Sequence, residues 1–274
     1  YKRDDLFLPF GKYGTSGGKV RQALSLIGEN VDNIIKNHKS TIVTHTQVHS
    51  TTGTILTRVC KHYNLKCIIC VGGTTSKSLK KHHMMMLAEY WGGHIRNVCG
   101  HGMHAPVMSR LRELVKQEKY FNAVFSDNVN LHPESVLDTT ANQVKNIPDK
   151  LDNMIISVGS GIQMAGILRG IVKYKKQIKN IYGVCIGPDR LKKINYYANP
   201  FEYFPLPNYR MITLDTQYGK GATEFFDGGQ MDELYEAKAY RWMKDNIDLK
   251  EKTLFWIVGR RLTKQEVRDN YNCI

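Results

Sequence analysis

Several absences narrow the chain before any motif does. No apolar run approaches the ~20 residues that a membrane-spanning helix needs, so no membrane partner is expected. Cys67 and Cys70 form a single Cys-x-x-Cys, and no second pair completes a zinc ribbon. Both fall in Cys67-Ile68-Ile69-Cys70-Val71, a run that predicts a buried strand, where residues three apart face opposite sides. With Cys60, Cys99, Cys185 and Cys273 they read as reduced core thiols of a cytoplasmic protein. There is no basic tail, no internal repeat and no Gly-Lys-Ser/Thr of a Walker loop. Nothing reads as a signal peptide, and with Tyr1 as first residue the natural start is expected upstream.

What is present is an ordinary globular composition, 42% hydrophobic and 23% charged, in 274 residues, which is ample for a core. The formal net charge is +14, with Lys and Arg spread along the whole chain. Such a field draws in anions, nucleic acid included, although a lysine-rich proteome gives the same charge with no such partner. His94, Cys99, His101 and His104 are ligand types, but their spacing matches no common zinc pattern and no metal is expected. His82 and His83 read as a solvated helix face, and Met84 to Met86 as core filling.

Periodicity predicts an α/β protein. A helix is expected over 19–37, then a strand at Thr41 to Thr44 and a helix from Ser50-Thr51-Thr52-Gly53 to about Tyr63. Strands at Lys66 to Val71 and His94 to Val98 alternate with helices at Ser76 to Trp91 and Ala105 to Lys119. Residues 126–150, with Pro133 and Pro148, read as an irregular passage. A second series follows, with strands at Asp152 to Val158, Ile181 to Ile186, Tyr209 to Leu214 and Thr253 to Val258. Its helices are expected at Gln163 to Tyr174, Asp232 to Asn246 and Thr263 to Tyr271. This alternation implies mainly parallel sheets with right-handed crossovers.

Three stretches carry chemistry. Gly14-Thr15-Ser16-Gly17-Gly18-Lys19 sets a lysine on the first turn of a helix after a glycine loop, where a desolvated amine can form a Schiff base with a carbonyl cofactor such as pyridoxal 5'-phosphate (PLP). A surface lysine after a flexible loop is the plainer reading. Gly159-Ser160-Gly161-Ile162-Gln163 connects a strand to a helix and offers N–H groups and a hydroxyl to a phosphate. Ser50, Thr51 and Thr52 open another helix, where they either bind a carboxylate or cap the helix.

Taken in order, the motifs resemble the tryptophan-synthase-β (fold type II) family of PLP enzymes, most of all its 1-aminocyclopropane-1-carboxylate deaminase and D-cysteine desulfhydrase branch. The pattern "KR(E/D)DL … GGNK-x-R-K-L" is matched by Lys2-Arg3-Asp4-Asp5-Leu6 and Gly17-Gly18-Lys19-Val20-Arg21, one residue short before the lysine. "QSN-x-T-R … LG-x-K-C" resembles Ser50-Thr51 through Asn64-Leu65-Lys66-Cys67. "GSGGT-x-AG" resembles Gly159 to Gly166, and "LDPVYEGKA" resembles Met231 to Ala239. The resemblance implies two intertwined three-layer α/β domains with mainly parallel sheets and PLP in the cleft between them. The smaller domain is expected at 39–135 and the larger at 1–38 and 136–274.

By the same resemblance, Lys19 would hold PLP and move the substrate α-proton. Ser50, Thr51 and Thr52 would bind substrate, Ser50 acting in catalysis as well and Thr51 also meeting the cofactor, and Gly159, Ser160, Gly161, Ile162 and Gln163 would hold the phosphate. Tyr235 would act at the reacting centre, and Glu236 would face the pyridine nitrogen and keep it protonated. Departures stand at Thr51 (usually Asn), at Gln163 (commonly Thr), at Tyr218-Gly219-Lys220-Gly221-Ala222 (for a Gly-Tyr-Gly turn) and at Ile257-Val258-Gly259-Arg260 (for His-Thr-Gly-Gly). The expected activity is α-proton abstraction from an amino acid or amino-acid-like substrate, of lyase or deaminase type, by a homodimer. Two alternatives remain: action on an amino-acyl-modified nucleotide or DNA base, as in viral base modification, and a PLP-binding protein without turnover.

Overall fold

The computed structural model describes residues 1–199, 204–216, 220–248 and 250–272; Tyr218, Gly219 and Cys273 lie outside them. The chain runs β1 (Lys2–Arg3), α1 (Gly18–Asn37), β2 (Thr41–His45), α2 (Thr52–His62), β3 (Lys66–Gly72), α3 (Ser76–Leu79), α4 (His83–Tyr90) and β4 (Gly93–Cys99). It continues with α5 (His104–Glu118), β5 (Phe121–Asn122), α6 (Phe125–Asn128), α7 (Thr139–Ala141), β6 (Lys150–Val158), α8 (Ile162–Lys173), β7 (Gln177–Ile186) and α9 (Leu191–Ala198). It closes with β8 (Arg210–Leu214), β9 (Phe225–Phe226), β10 (Gly229–Gln230), α10 (Glu236–Asn246), β11 (Thr253–Ile257) and α11 (Lys264–Asn270). Two compact units result. One comprises Tyr1–Phe7, Ser16–Gln22 and His132–Arg260; the other comprises Leu8–Thr15, Ala23–Leu131 and Arg261–Ile274. Among the described residues no helix is long and apolar enough to cross a membrane.

The first unit is built on a parallel sheet in the order β1-β11-β6-β7-β8. Strands β11 and β6 are buried nearly throughout, as befits strands covered on both faces. Ile155, Val184, Phe255 and Ile257 pack with Ala237, Ala239 and Met243 of α10. The stretch after Leu131, expected to be irregular, is a chain of short helical turns from Glu134 to Asn146. Alternating turn types blur its period, and it nests close against α8: a Cβ at Gly166 would lie 2.8 Å from the Leu137 carbonyl oxygen. The helix expected from Asp232 begins at Glu236, because the Asp232 carboxylate accepts the Leu234 and Tyr235 N–H groups and holds a turn there.

The first strand of this unit is anchored by a buried carboxylate. Asp4, with no exposed side-chain surface, accepts from Lys2 Nζ at 2.8 Å, Arg21 Nη2 at 3.3 Å and the indole Nε1 of fully buried Trp256 at 2.9 Å. It therefore ties β1, α1 and β11 together. Asp5 forms a two-pronged pair with Arg3, both contacts at 2.8 Å.

The second unit carries a parallel sheet in the order β4-β3-β2-β5. Val43, Ile68 and Cys70 pack beneath Val107, Met108 and Leu111 of α5. The Cys67 and Cys70 thiols are buried, and burial pushes Cys70 up to about 12. The helix expected from Ser76 to Trp91 is two helices, interrupted at Lys80-Lys81-His82. Nor are His82 and His83 a solvated face: both are half-buried, His82 meets His49 edge-on at 4.6 Å, and His83 Nε2 lies 2.9 Å from the Leu262 carbonyl. Met84 and Met85 are core residues, as their apolar character predicts, whereas Met86 is only half-buried.

His45 ends β2 with its ring 4.8 Å from that of His104. Burial, reinforced by His104, pushes His45 down to about 4. An unfolded imidazole titrates near 6.5, so between these values the unfolded chain binds more protons and stability rises with pH. The contribution is complete above about pH 6.5 and is lost as pH falls toward about 4. His45→Gln is therefore expected to remove about one proton from the pH slope of the urea midpoint in that window, and an unchanged slope would refute the assignment. Asp4→Ala is expected to cost roughly 3 kcal/mol in urea unfolding, since it strands two cations and a buried indole N–H. Asp4→Asn, which still offers Trp256 an acceptor, is expected to cost less.

Candidate active site

Lys19 stands on the first turn of α1, half-buried. The glycines before it are required by the space they occupy. Gly17 has φ +99°, and a Cβ there would lie 2.6 Å from the Val258 carbonyl oxygen and the Gly259 Cα. Gly18 N–H donates to that carbonyl at 2.9 Å, and Ser16 Oγ donates to the Arg260 carbonyl at 3.3 Å. The strap after β11 thus holds the loop from one side. Arg21 (to Asp4) and Gln22, whose amide donates to the Val136 carbonyl at 2.6 Å, hold the helix from the other. A lysine placed on so restrained a turn gives up little further freedom when it binds a partner.

The second component is the loop between β6 and α8. Gly161, at φ +92°, is the residue before α8, and a Cβ there would lie 2.8 Å from Ile194 of α9. Arg190 Nε donates to the Gly159 carbonyl at 3.1 Å and braces the loop from below. The Gln163 side chain lies over Gly18, so closely that a Cβ on Gly18 would overlap its amide. Its Nε2 is buried with no acceptor in the protein. A buried amide donor without a partner costs about 1–3 kcal/mol, and the first turn of a helix after Gly-Ser-Gly is where an anion would satisfy it.

Tyr235 and Glu236 complete this region of the first unit. The Tyr235 ring packs on Gly159, where a Cβ would come within 2.9 Å of it. Glu236 opens α10, is 2% exposed and accepts from Ser157 Oγ at 3.3 Å. Ser157, near the end of β6, and Arg190 had no assigned part in the sequence. Ser157 could have been found from its place two residues before Gly159; Arg190, 31 residues along the chain from Gly159, left no local signal. Lys19, Gly159 to Gln163, Tyr235 and Glu236 all belong to one unit and are linked by the contacts of Gly18 with Gln163 and of Gly159 with Tyr235.

Ser50, Thr51 and Thr52 belong to the other unit. Ser50 N–H closes a turn onto the Gln47 carbonyl at 2.8 Å, and Ser50 Oγ accepts the Thr52 N–H at 3.2 Å while lying 3.1 Å from the Thr52 hydroxyl. Thr51 precedes α2 without capping it through its side chain. The Ser50 hydroxyl thus meets the first residue of α2 through both its N–H and its side chain. His49, just before them, is pushed down by burial and then by Arg261. Among the described residues no group of three or more His, Cys, Asp or Glu side chains is placed to hold a metal.

The sequence pattern of the family described as "Pyridoxal-phosphate dependent enzyme" matches residues 2–199. An O-seryl-dTMP PLP-dependent decarboxylase of Salmonella phage ViI is 29% identical over 205 residues, which is 70% of this chain and 47% of that protein. The chain thus spans about half the length of this curated relative. The fold matches a crystal structure of an ACC deaminase homologue with a TM-score of 0.72 at 20% identity, over 94% of this chain and 83% of that one. It also matches an O-ureido-L-serine synthase with a TM-score of 0.64 at 16% identity, over 97% and 85% of the two chains.

The residues present fit PLP. The buried Gln163 amide and the Gly159 to Gly161 backbone suit its phosphate, Glu236 suits a protonated ring nitrogen, and Lys19 suits its aldehyde. Gln163→Leu removes an unsatisfied donor, so the cofactor-free protein is expected to melt no lower than the parent. PLP affinity, read by absorbance titration, is expected to fall about tenfold for loss of a charged hydrogen bond. Unchanged affinity would sink the phosphate assignment. With the family's pattern running from the β1 strand past α8, and the fold agreeing over nearly the whole chain, this protein belongs to the pyridoxal-phosphate dependent enzymes of fold type II, and its cofactor is PLP.

Proposed function

We propose that this enzyme breaks a bond at the α-carbon of an amino-acid group carried on a nucleotide or on DNA, with loss of carbon dioxide as the outcome. The observation that carries the reading is the 29% identity to a decarboxylase whose name gives a seryl-nucleotide substrate. The net charge of +14 supports an anionic substrate. PLP, when bound, supplies an electron sink for the pair left on the α-carbon. Lys19 would anchor the cofactor and return a proton to the α-carbon once carbon dioxide has left. Glu236, kept in place by Ser157, would hold a proton on the ring nitrogen. Gln163 and the glycine loop would fix the phosphate, while Ser50, Thr51 and Thr52 would offer hydroxyls to the substrate. Tyr235, packed on the loop, would line the reacting side.

A second reading, α-proton removal from a free amino acid with release of ammonia, is favoured by the likeness to the ACC deaminase homologue and by the Tyr-Glu pair at 235–236. The two differ in what leaves. Incubation of the PLP-loaded protein with O-seryl-dTMP is expected to release carbon dioxide and leave an amine on the nucleotide by mass spectrometry. Lys19→Ala is expected to abolish this together with the visible absorbance of lysine-bound PLP. Ammonia from free amino acids, with the nucleotide untouched, would reject the first reading for the second. A Lys19-dependent absorbance with no turnover of either substrate would leave a PLP-binding protein without activity.

A further inference from the structure

The sheet of the second unit has two ends with different character. Ser50 to Thr52 follow the carboxyl end of β2, where α/β proteins usually bind ligands. At the opposite end, where the strands begin, lies a groove of about 490 Å³ lined in part by Lys39, Thr41, Lys66, His94, Arg96 and Tyr120. No acidic side chain lines it. Of the lining cations, Lys39 is paired with the Glu118 carboxylate at 3.1 Å. β2 is five residues long, so at ~3.3 Å per residue the groove stands about 15 Å from the Ser50 loop.

Register explains how the charges gather. Thr41 pairs with Lys66 and Ile68 with His94, and alternate residues of a strand share a face, so Lys66, His94 and Arg96 project from the same side of β3 and β4. One plainer explanation covers only part of this. α1 and α5 both end here, and helix carbonyl ends favour cations, which accounts for Lys39 and Lys119. Lys66, His94 and Arg96 are strand residues, and among the described residues none of the three makes an ion pair. The three share one face of a groove whose lining holds no carboxylate, a setting that suits an anionic occupant.

We propose that this groove binds the phosphodiester backbone of a DNA strand, as a site separate from Lys19 and the glycine loop. DNA as the polymer rests on the nucleotide reading above; the affinity for phosphodiesters rests on the groove alone. The enzyme would then hold a polymer through residues other than those assigned to the reacting centre, which a free amino acid or mononucleotide does not require.

Fluorescence anisotropy of a labelled single-stranded DNA oligonucleotide, titrated with the PLP-loaded protein at several salt concentrations, tests this. Lys66→Glu/Arg96→Glu is expected to weaken binding at least tenfold and to lower the salt slope by about 1–2, since each lost phosphate contact removes ~0.7. The PLP absorbance and any turnover of a mononucleotide conjugate are expected to stay unchanged. Lys175→Glu/Lys250→Glu, an equal charge change on exposed positions of the other unit, is expected to have little effect. Equal loss from that pair, or no loss from the groove pair, would overturn the site. Displacement by polyglutamate as effective as by unlabelled DNA would overturn the nucleic-acid assignment. If the charge reversal unfolds the protein, Lys66→Gln/Arg96→Gln takes its place with the same criteria. Groove-dependent DNA binding by a protein that turns over no nucleotide conjugate would retain the groove and reject the activity.

Discussion

The first unit depends on one buried carboxylate. Asp4 gathers an ammonium, a guanidinium and an indole N–H, and so joins a two-residue strand, the first turn of α1 and β11. A lone buried charge is costly, but one fully supplied with donors fixes geometry that apolar packing alone leaves loose. Lys19 benefits directly, because Arg21 of that cluster is two residues away on the same helical turn. The helical turn that carries the lysine is held by a carboxylate of the neighbouring strand segment.

A second constraint acts in the opposite direction. The Gln163 amide is buried against Gly18 without an acceptor, and Tyr235 fills the space that any side chain at position 159 would need. Such an arrangement sacrifices stability in the cofactor-free protein, a common property of sites shaped for a ligand. An amide can stand here because it supplies a donor, provided the backbone beneath is a glycine.

Much of the fold was legible because parallel strands buried on both faces leave apolar runs of distinctive length. Thr41 to Thr44, Lys66 to Val71 and Thr253 to Val258 fall on β2, β3 and β11 within a residue or two. The errors fall where local pattern is overruled. Lys80 to His82 carry no glycine or proline, yet the helix breaks there, with His82 taken up by His49 and His83 by the Leu262 carbonyl. Helical turns from 134 to 146 change type within a few residues and so show no steady period. The glycine loop, Lys19 and the Tyr-Glu pair were legible as motifs. Ser157 and Arg190 were not, since their meaning lies in contacts 79 and 31 residues distant along the chain.

The strand order of the first unit has a consequence for how the chain acquires its structure. β11 lies between β1 and β6, so the sheet cannot close until residues 253–257 have left the ribosome. The sheet of the second unit draws all its strands from residues 41–122 and can assemble long before that. Synthesis therefore passes through a stage in which one sheet is complete and the other exposes the open edges of β1 and β6, and β1 must await a partner made nearly the full length of the chain later. Pairings so remote in sequence are slow to form, and open strand edges invite association, so this is the interval in which the protein most needs protection.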